Sequence, residues 1–220
     1  MVIPCIDMKI ILIGAGNLAT QLAVALQKKG MTPAYIYSRT RESAEQLSER
    51  LRDVPYSTDI SRVPTDGDLY IFAVKDSALL DLVSRMPSNR GLWVHTAGSM
   101  DMEVFAPYTA RYGVFYPMQT FSKERETDFD DIPIFVETNH TDDTERLQKL
   151  AGRLSTKVYE ATSEQRKYLH LAAVFACNFS NHLYALCDRI LSEHGLPFET
   201  MLPLIRETAA KVADMPPAQA

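Results

Sequence analysis

Apolar residues in this chain switch repeatedly between two periods, and the switching predicts its architecture. Ile10 to Ile13 is a short, largely β-branched run, too brief for a helix, and reads as a buried strand. After Gly14 and Gly16, apolar residues recur at helical spacing (Leu18, Leu22, Ala25, Leu26) until Lys28, Lys29 and the stop signal Gly30. The alternation repeats along the chain. Residues 33–37 and 56–58 read as strands around an amphipathic helix over 41–51 that carries Ala44, Leu47 and Leu51. Residues 69–74, apolar on both faces as parallel strands are, precede a helix over 77–85 and a strand over 92–95. Val114-Phe115 and residues 134–136 add strands, and Val158-Tyr159 closes the sheet. Asp142 and Glu145 have the spacing of a capping box for a helix bearing Leu147, Leu150, Ala151 and Leu154. The charged stretch from Lys123 to Asp131 reads as a solvated loop. The class is α/β: a Rossmann-type, doubly wound, mostly parallel sheet over residues 1–160.

The pattern changes near Ala161, and residues 161–220 read as a small all-α domain. Ser163 to His194 holds neither Gly nor Pro, which predicts one helix about 45 Å long. Its apolar residues surround nearly the whole cylinder, so burial on several sides is expected, against a partner subunit or further chain. A second helix spans 198–212. His170, Cys177 and Asn181 lie on one helical stripe, with Asn178 and His182 beside it. Such polar side chains need partners when buried, so they satisfy each other or a symmetry mate, or else they face a ligand cleft.

Composition narrows the setting. A net charge of −5 without a basic run gives no reason to expect nucleic acid or an anionic membrane. The three cysteines, Cys5, Cys177 and Cys187, form no C-x-x-C pair and suit reduced thiols. Residues 1–8 lack the charged region of a signal peptide, and polar residues interrupt every candidate span, so a cytoplasmic protein is expected. The five histidines show no metal-ligand spacing.

The candidate chemistry lies at the carboxyl ends of the strands. Gly14, Gly16 and Ala19 fit the G-x-G-x-x-G/A fingerprint between a strand and a helix. There the glycines permit the turn and the close approach of a pyrophosphate, which the helix N-terminus attracts. A glycine turn without a ligand is the alternative reading. The second strand ends in Ser38-Arg39-Thr40-Arg41 rather than in an acidic residue, and guanidinium groups there suit the 2′-phosphate of NADP over the ribose hydroxyl of NAD. Lys75, after the fourth strand, reads equally as a ligand contact or as an exposed loop lysine.

Several motifs resemble known families. GAGNLA, the SRT after the second strand, AVKD at 73–76 and HTAGS at 95–99 resemble the NADP domain of pyrroline-5-carboxylate reductases and of deazaflavin-dependent NADP oxidoreductases. YPMQTFS at 116–122 and HLAAVFACNFSNHLYAL at 170–186 look like a Rossmann-like family with a domain of unknown function. Its helical half is similar to the dimerisation domain of 6-phosphogluconate and β-hydroxyacid dehydrogenases. The resemblance implies NADP binding; the all-round apolar helix points to a homodimer formed through the C-terminal helices, and the leading reading is a reductase delivering hydride to a C=N or C=O bond of a small metabolite. On that reading Gly14, Gly16, Asn17 and Leu18 would hold the pyrophosphate, with Ser38, Arg39 and Thr40 on the 2′-phosphate. Ala73, Val74 and Lys75 would line the ribose and ring. His170 would donate the proton and Asn178 orient the substrate, with His95, Gln119, Thr120 and Asn181 as further substrate contacts.

Three departures stand beside this. Lys167 and Asn178 are eleven residues apart, unlike the helix-borne Lys–Asn pattern of the β-hydroxyacid dehydrogenases. The Pro–Asn substrate loop of the pyrroline reductases is replaced by Tyr116-Pro117-Met118-Gln119. Members of the family also continue beyond the position of Ala220 into another helical segment, so either this sequence is a shortened piece or part of the substrate wall is absent. No complete catalytic set of the Ser–Tyr–Lys kind is visible, so an NADP-binding sensor or scaffold without turnover is the rival expectation.

Overall fold

The computed structural model describes residues 8–219; Cys5 and the leader reading of residues 1–7 lie outside the described residues. Eight strands form one sheet in the order β3-β2-β1-β4-β5-β6-β7-β8. In chain order they are β1 (Ile10–Ile13), β2 (Tyr35–Tyr37), β3 (Tyr56–Ser57), β4 (Leu69–Phe72), β5 (Leu92–His95), β6 (Tyr112–Pro117), β7 (Ile134–Thr138) and β8 (Val158–Glu160). All neighbours pair in parallel except β6 and β7, which are antiparallel with Phe115 opposite Val136.

The double winding follows from β1 itself. Its four residues are buried, and they alternate between faces. Ile10 and Leu12 join one core with Leu22 and Leu26 of α1 (Asn17–Lys28), Leu47 of α2 (Arg41–Arg50), and Leu147, Leu150 and Leu154 of α4 (Thr141–Leu154). Ile11 and Ile13 join the other, with Leu79, Leu82 and Val83 of α3 (Asp76–Ser84) and the aromatic group Phe72, Trp93 and Phe105. Those three rings meet at centroid distances of 5.1–5.9 Å, in tilted and edge-on geometries that add to the area they bury.

Two expectations are corrected and a third is refined. No side chain caps α4: His140 precedes it, and the carboxylate of Asp143 in its first turn is 2% exposed and accepts from Arg111 Nε at 2.9 Å. The capping box does not form because the helix starts at Thr141, which puts Asp142 inside the first turn and not at the cap position. The loop over 123–131 keeps Glu124, Arg125, Glu126, Asp128, Asp130 and Asp131 exposed, as expected of a solvated stretch, but Phe129 enters the first core and stacks on Phe121 at 5.7 Å, which anchors it. The long helix is not continuous either. α5 (Ser163–Ala173) passes through a π-helical turn, Val174–Phe179, into α6 (Ser180–Glu193). The wider turn resets the phase, so the spacing that put His170, Cys177 and Asn181 on one stripe does not survive it.

The chain forms two compact units that divide after His170. The second contains the π turn, α6 and α7 (Leu202–Asp214), and none of their residues is buried in the single chain. Phe175 and Phe179 stack on each other at 5.0 Å while staying 60% and 53% exposed. No helix among the described residues is long and apolar enough to cross a membrane.

Candidate functional site

The first turn of the sheet is built by close backbone contact. Gly14 donates its N–H to Tyr37 O at 2.7 Å, which ties the turn to the end of β2, and Ala73 N donates to Ile13 O at 2.8 Å from the end of β4. Gly14 has φ +125°, and a Cβ on it would stand 2.2 Å from Ala73 O. Only glycine fits there, for conformational and steric reasons together. Gly16 differs. Its backbone is extended (φ −80°), and a Cβ would meet nothing within 4 Å.

That open space lies over the start of α1. The first intrahelical bond is Thr20 N to Gly16 O, so the N–H groups of Asn17, Leu18 and Ala19 have no acceptor within the helix. No side chain caps them, and the first turn contains no acidic residue. Free donors, the positive end of the helix dipole and an unfilled approach together fit a diphosphate. Beside them, Arg39 and Thr40 are exposed, whereas Ser38 is 6% exposed and donates its N–H to Ser57 O. Ser38 is thus buried at the end of β2 while its neighbour Arg39 faces solvent. Ala73 is buried, Val74 half-buried, and Lys75 exposed at the N-cap of α3. These residues gather at the carboxyl ends of β1, β2 and β4, where ligands bind in open α/β sheets.

The loops after β5 and β6 flank this end. Asn17 Nδ2 donates to Phe121 O at 3.0 Å, and Gln21, 1% exposed, donates to the carbonyls of Ser122 (2.7 Å) and Arg125 (2.9 Å) while its Oε1 accepts from Thr127 N. Helix α1 thereby pins the strap that carries Gln119 and Thr120, both exposed, with Gln119 Oε1 accepting from Thr120 N. Sequence reasoning missed Gln21; the one available signal was an amide on the apolar side of α1.

The expectation that His95 forms a substrate wall is corrected. The ring is 1% exposed, Nδ1 accepts from Ala97 N at 3.2 Å, and Nε2 lies 3.3 Å from Asp101 O. Burial, aided by the nearby Arg166 charge, lowers its pKa from 6.5 to about 4, so it is a neutral core side chain that shapes the loop after β5. His170 is instead half-buried on α5, with Nδ1 3.3 Å from Tyr116 Oη at the end of β6. Both rings close over Gly98, where a Cβ would stand 2.6 Å from His170 Nδ1 and 2.8 Å from Tyr116 Cζ. Asn178 and Asn181 belong to the second unit and are exposed in it. Within the first unit the structure joins His170 to Tyr116.

Residues 3–118 match the family model described as a Rossmann-like domain, and residues 132–220 match a domain of unknown function (DUF2520). No curated protein matches the chain. A Bacteroides fragilis protein, named a putative NADP oxidoreductase, is 51% identical over 96% of this chain and 82% of its own, with a TM-score of 0.89. An Aspergillus terreus reductive aminase, solved with NADPH and ethyl levulinate, is 16% identical over 94% of this chain and 74% of its own, at a TM-score of 0.75. A Coxiella burnetii pyrroline-5-carboxylate reductase is 18% identical over 94% and 79%, at 0.68. The last two share the fold.

Proposed function

The chain belongs to the Rossmann-like family and carries the DUF2520 domain, and from that premise we propose that it is an NADP(H)-dependent oxidoreductase acting on a C=N or C=O bond of a small metabolite. One observation carries the reading: the uncapped start of α1 opens onto space at Gly16, and the adjoining end of β2 offers Arg39 and Thr40 where a carboxylate would select NAD. The N–H groups of Asn17, Leu18 and Ala19 hold the pyrophosphate, Arg39 and Thr40 grip the 2′-phosphate, and Ala73, Val74 and Lys75 border the ribose and ring.

When bound, the nicotinamide supplies hydride to the electron-poor carbon of the substrate. The oxygen or nitrogen left with the electron pair takes a proton, and His170, bonded to Tyr116, holds that proton. Gln119 and Thr120 on the strap after β6 contact the substrate. The protein works as a homodimer: a second copy covers the exposed apolar residues of the π turn, α6 and α7, and sedimentation would return twice the 24.8 kDa chain mass.

The test is a panel of cyclic imines, 2-oxo acids and semialdehydes incubated with protein and NADPH, following the loss of nicotinamide absorbance. Turnover of at least one class is expected. Tight NADPH binding with silence across the panel would instead favour a sensor without turnover.

A further inference from the structure

Arg166 is 0% exposed, and its guanidinium has no role in the dinucleotide reading. Every nitrogen is engaged. Nη1 donates to Glu137 Oε2 at 2.7 Å, Nε to Ala97 O at 3.3 Å, and Nη2 to Ser163 Oγ at 3.2 Å and to Met100 O. Glu137 is held in turn, accepting from Ser163 N at 2.8 Å and Ser163 Oγ at 2.7 Å. One buried cation thus ties β7 and α5 to the loop after β5, gripping that loop on both sides of Gly98.

Ser163, Arg166 and His170 are spaced to share one face of α5. The face that anchors the loop therefore also carries the imidazole that lies on the loop's Gly98. We propose that Arg166 is a positioning residue that sets the contact between His170 and Tyr116; this rests on the reading of His170 as proton donor. The chemistry favours arginine. Its rigid fork reaches one carboxylate and two carbonyls from a single site, whereas lysine presents one point charge without fixed directions. Lysine retains attraction to Glu137 and gives up the simultaneous hold on Ala97 O and Met100 O. The loop, and with it the floor beneath His170, is then free to shift by the few tenths of an ångström that decide a 3.3 Å hydrogen bond.

The experiment uses intact protein labelled with 15N-histidine, with His170 assigned from the signals lost in His170→Gln. Tyr116→Phe removes the hydroxyl and defines the ring-nitrogen shift of an unpaired His170. Arg166→Lys is expected to reproduce that shift and to add nothing in the Tyr116→Phe background, the signature of one shared interaction. Arg111→Lys weakens the remote pair with Asp143 and serves as the stability control, lowering Tm while the His170 signals stay in place. A folded Arg166→Lys with wild-type His170 signals overturns the proposal, as does a shift that adds fully to that of Tyr116→Phe. If Arg166→Lys does not accumulate, Glu137→Gln weakens the same anchor and is read by the same two criteria. No cofactor is present in this measurement, so its failure is distinguishable from failure of the NADP reading, which calorimetry tests separately.

Discussion

Gly14 and Gly16 stand two residues apart in one turn, and the structure assigns them opposite sensitivities to the same added methyl group. In Gly14→Ala the new Cβ falls 2.2 Å from Ala73 O, on a residue with φ +125°. Relieving that overlap needs about 1 Å of separation between β1 and β4, on top of an unfavourable backbone conformation, so the cost is roughly 2–4 kcal/mol. For a unit of this size, each kcal/mol lowers Tm by about 2–4 °C. Gly16→Ala meets no atom within 4 Å, and its extended backbone suits alanine. A gain of about 0.4–1 kcal/mol from the stiffer unfolded chain offsets a loss of similar size, about 0.5–1 kcal/mol, from the poorer N-cap. Stability barely moves. The methyl group does occupy the approach to the free N–H groups of α1, and weakening one hydrogen bond to an anion costs about 1.5–3 kcal/mol, or roughly tenfold to a hundredfold in Kd. Scanning calorimetry without cofactor, paired with titration of NADPH, separates the two effects. Gly16→Ala binding NADPH as tightly as wild type, or melting as early as Gly14→Ala, would refute the assignment of this opening to the pyrophosphate.

Two further predictions concern the walls of the site. Since His95 titrates at about 4 in the fold and near 6.5 in the unfolded chain, the unfolded state binds the extra proton between those values. Its contribution is full above pH 6.5 and is lost as pH falls toward 4, about 3 kcal/mol in all. Urea unfolding at pH 7 and pH 4.5 should show a fall that His95→Gln flattens; an equal fall in both proteins would contradict a neutral, buried ring. Gln21→Leu keeps the volume on α1 but strands the carbonyls of Ser122 and Arg125, so the strap should loosen and trypsin should cut after Lys123 or Arg125 sooner than in wild type. Unchanged cleavage would show that Phe121 and Phe129 hold the strap without it.

What could be read from the sequence was local in origin. β1, the glycine turn and α1 depend on residues within one stretch, as does the exchange of an acidic residue for Ser38-Arg39-Thr40 at the end of β2. The features that escaped depend on partners far along the chain. Asp143 is one more charged residue in a helical first turn until Arg111, 32 positions earlier, takes its carboxylate. Gln21 reads as a lapse in an apolar helix face until backbone from residues 122–127 arrives to meet it. His95 follows three apolar residues at the end of a strand, and sequence alone does not tell whether such a ring turns into the core or out of it. Arg166 carried no periodic signal, because burying a guanidinium needs Glu137 and two carbonyls that only the folded chain assembles. The π turn at Val174–Phe179 escaped because a 3.6-residue repeat was assumed for the whole helix.

Titration calorimetry with NADPH and NADH, on wild type and on Arg39→Ala, tests the account at its centre. Wild type should bind NADPH at least tenfold more tightly than NADH, and Arg39→Ala should erase most of that preference while leaving NADH affinity in place. Heat from neither nucleotide, or an NADPH preference that survives loss of Arg39, would contradict it.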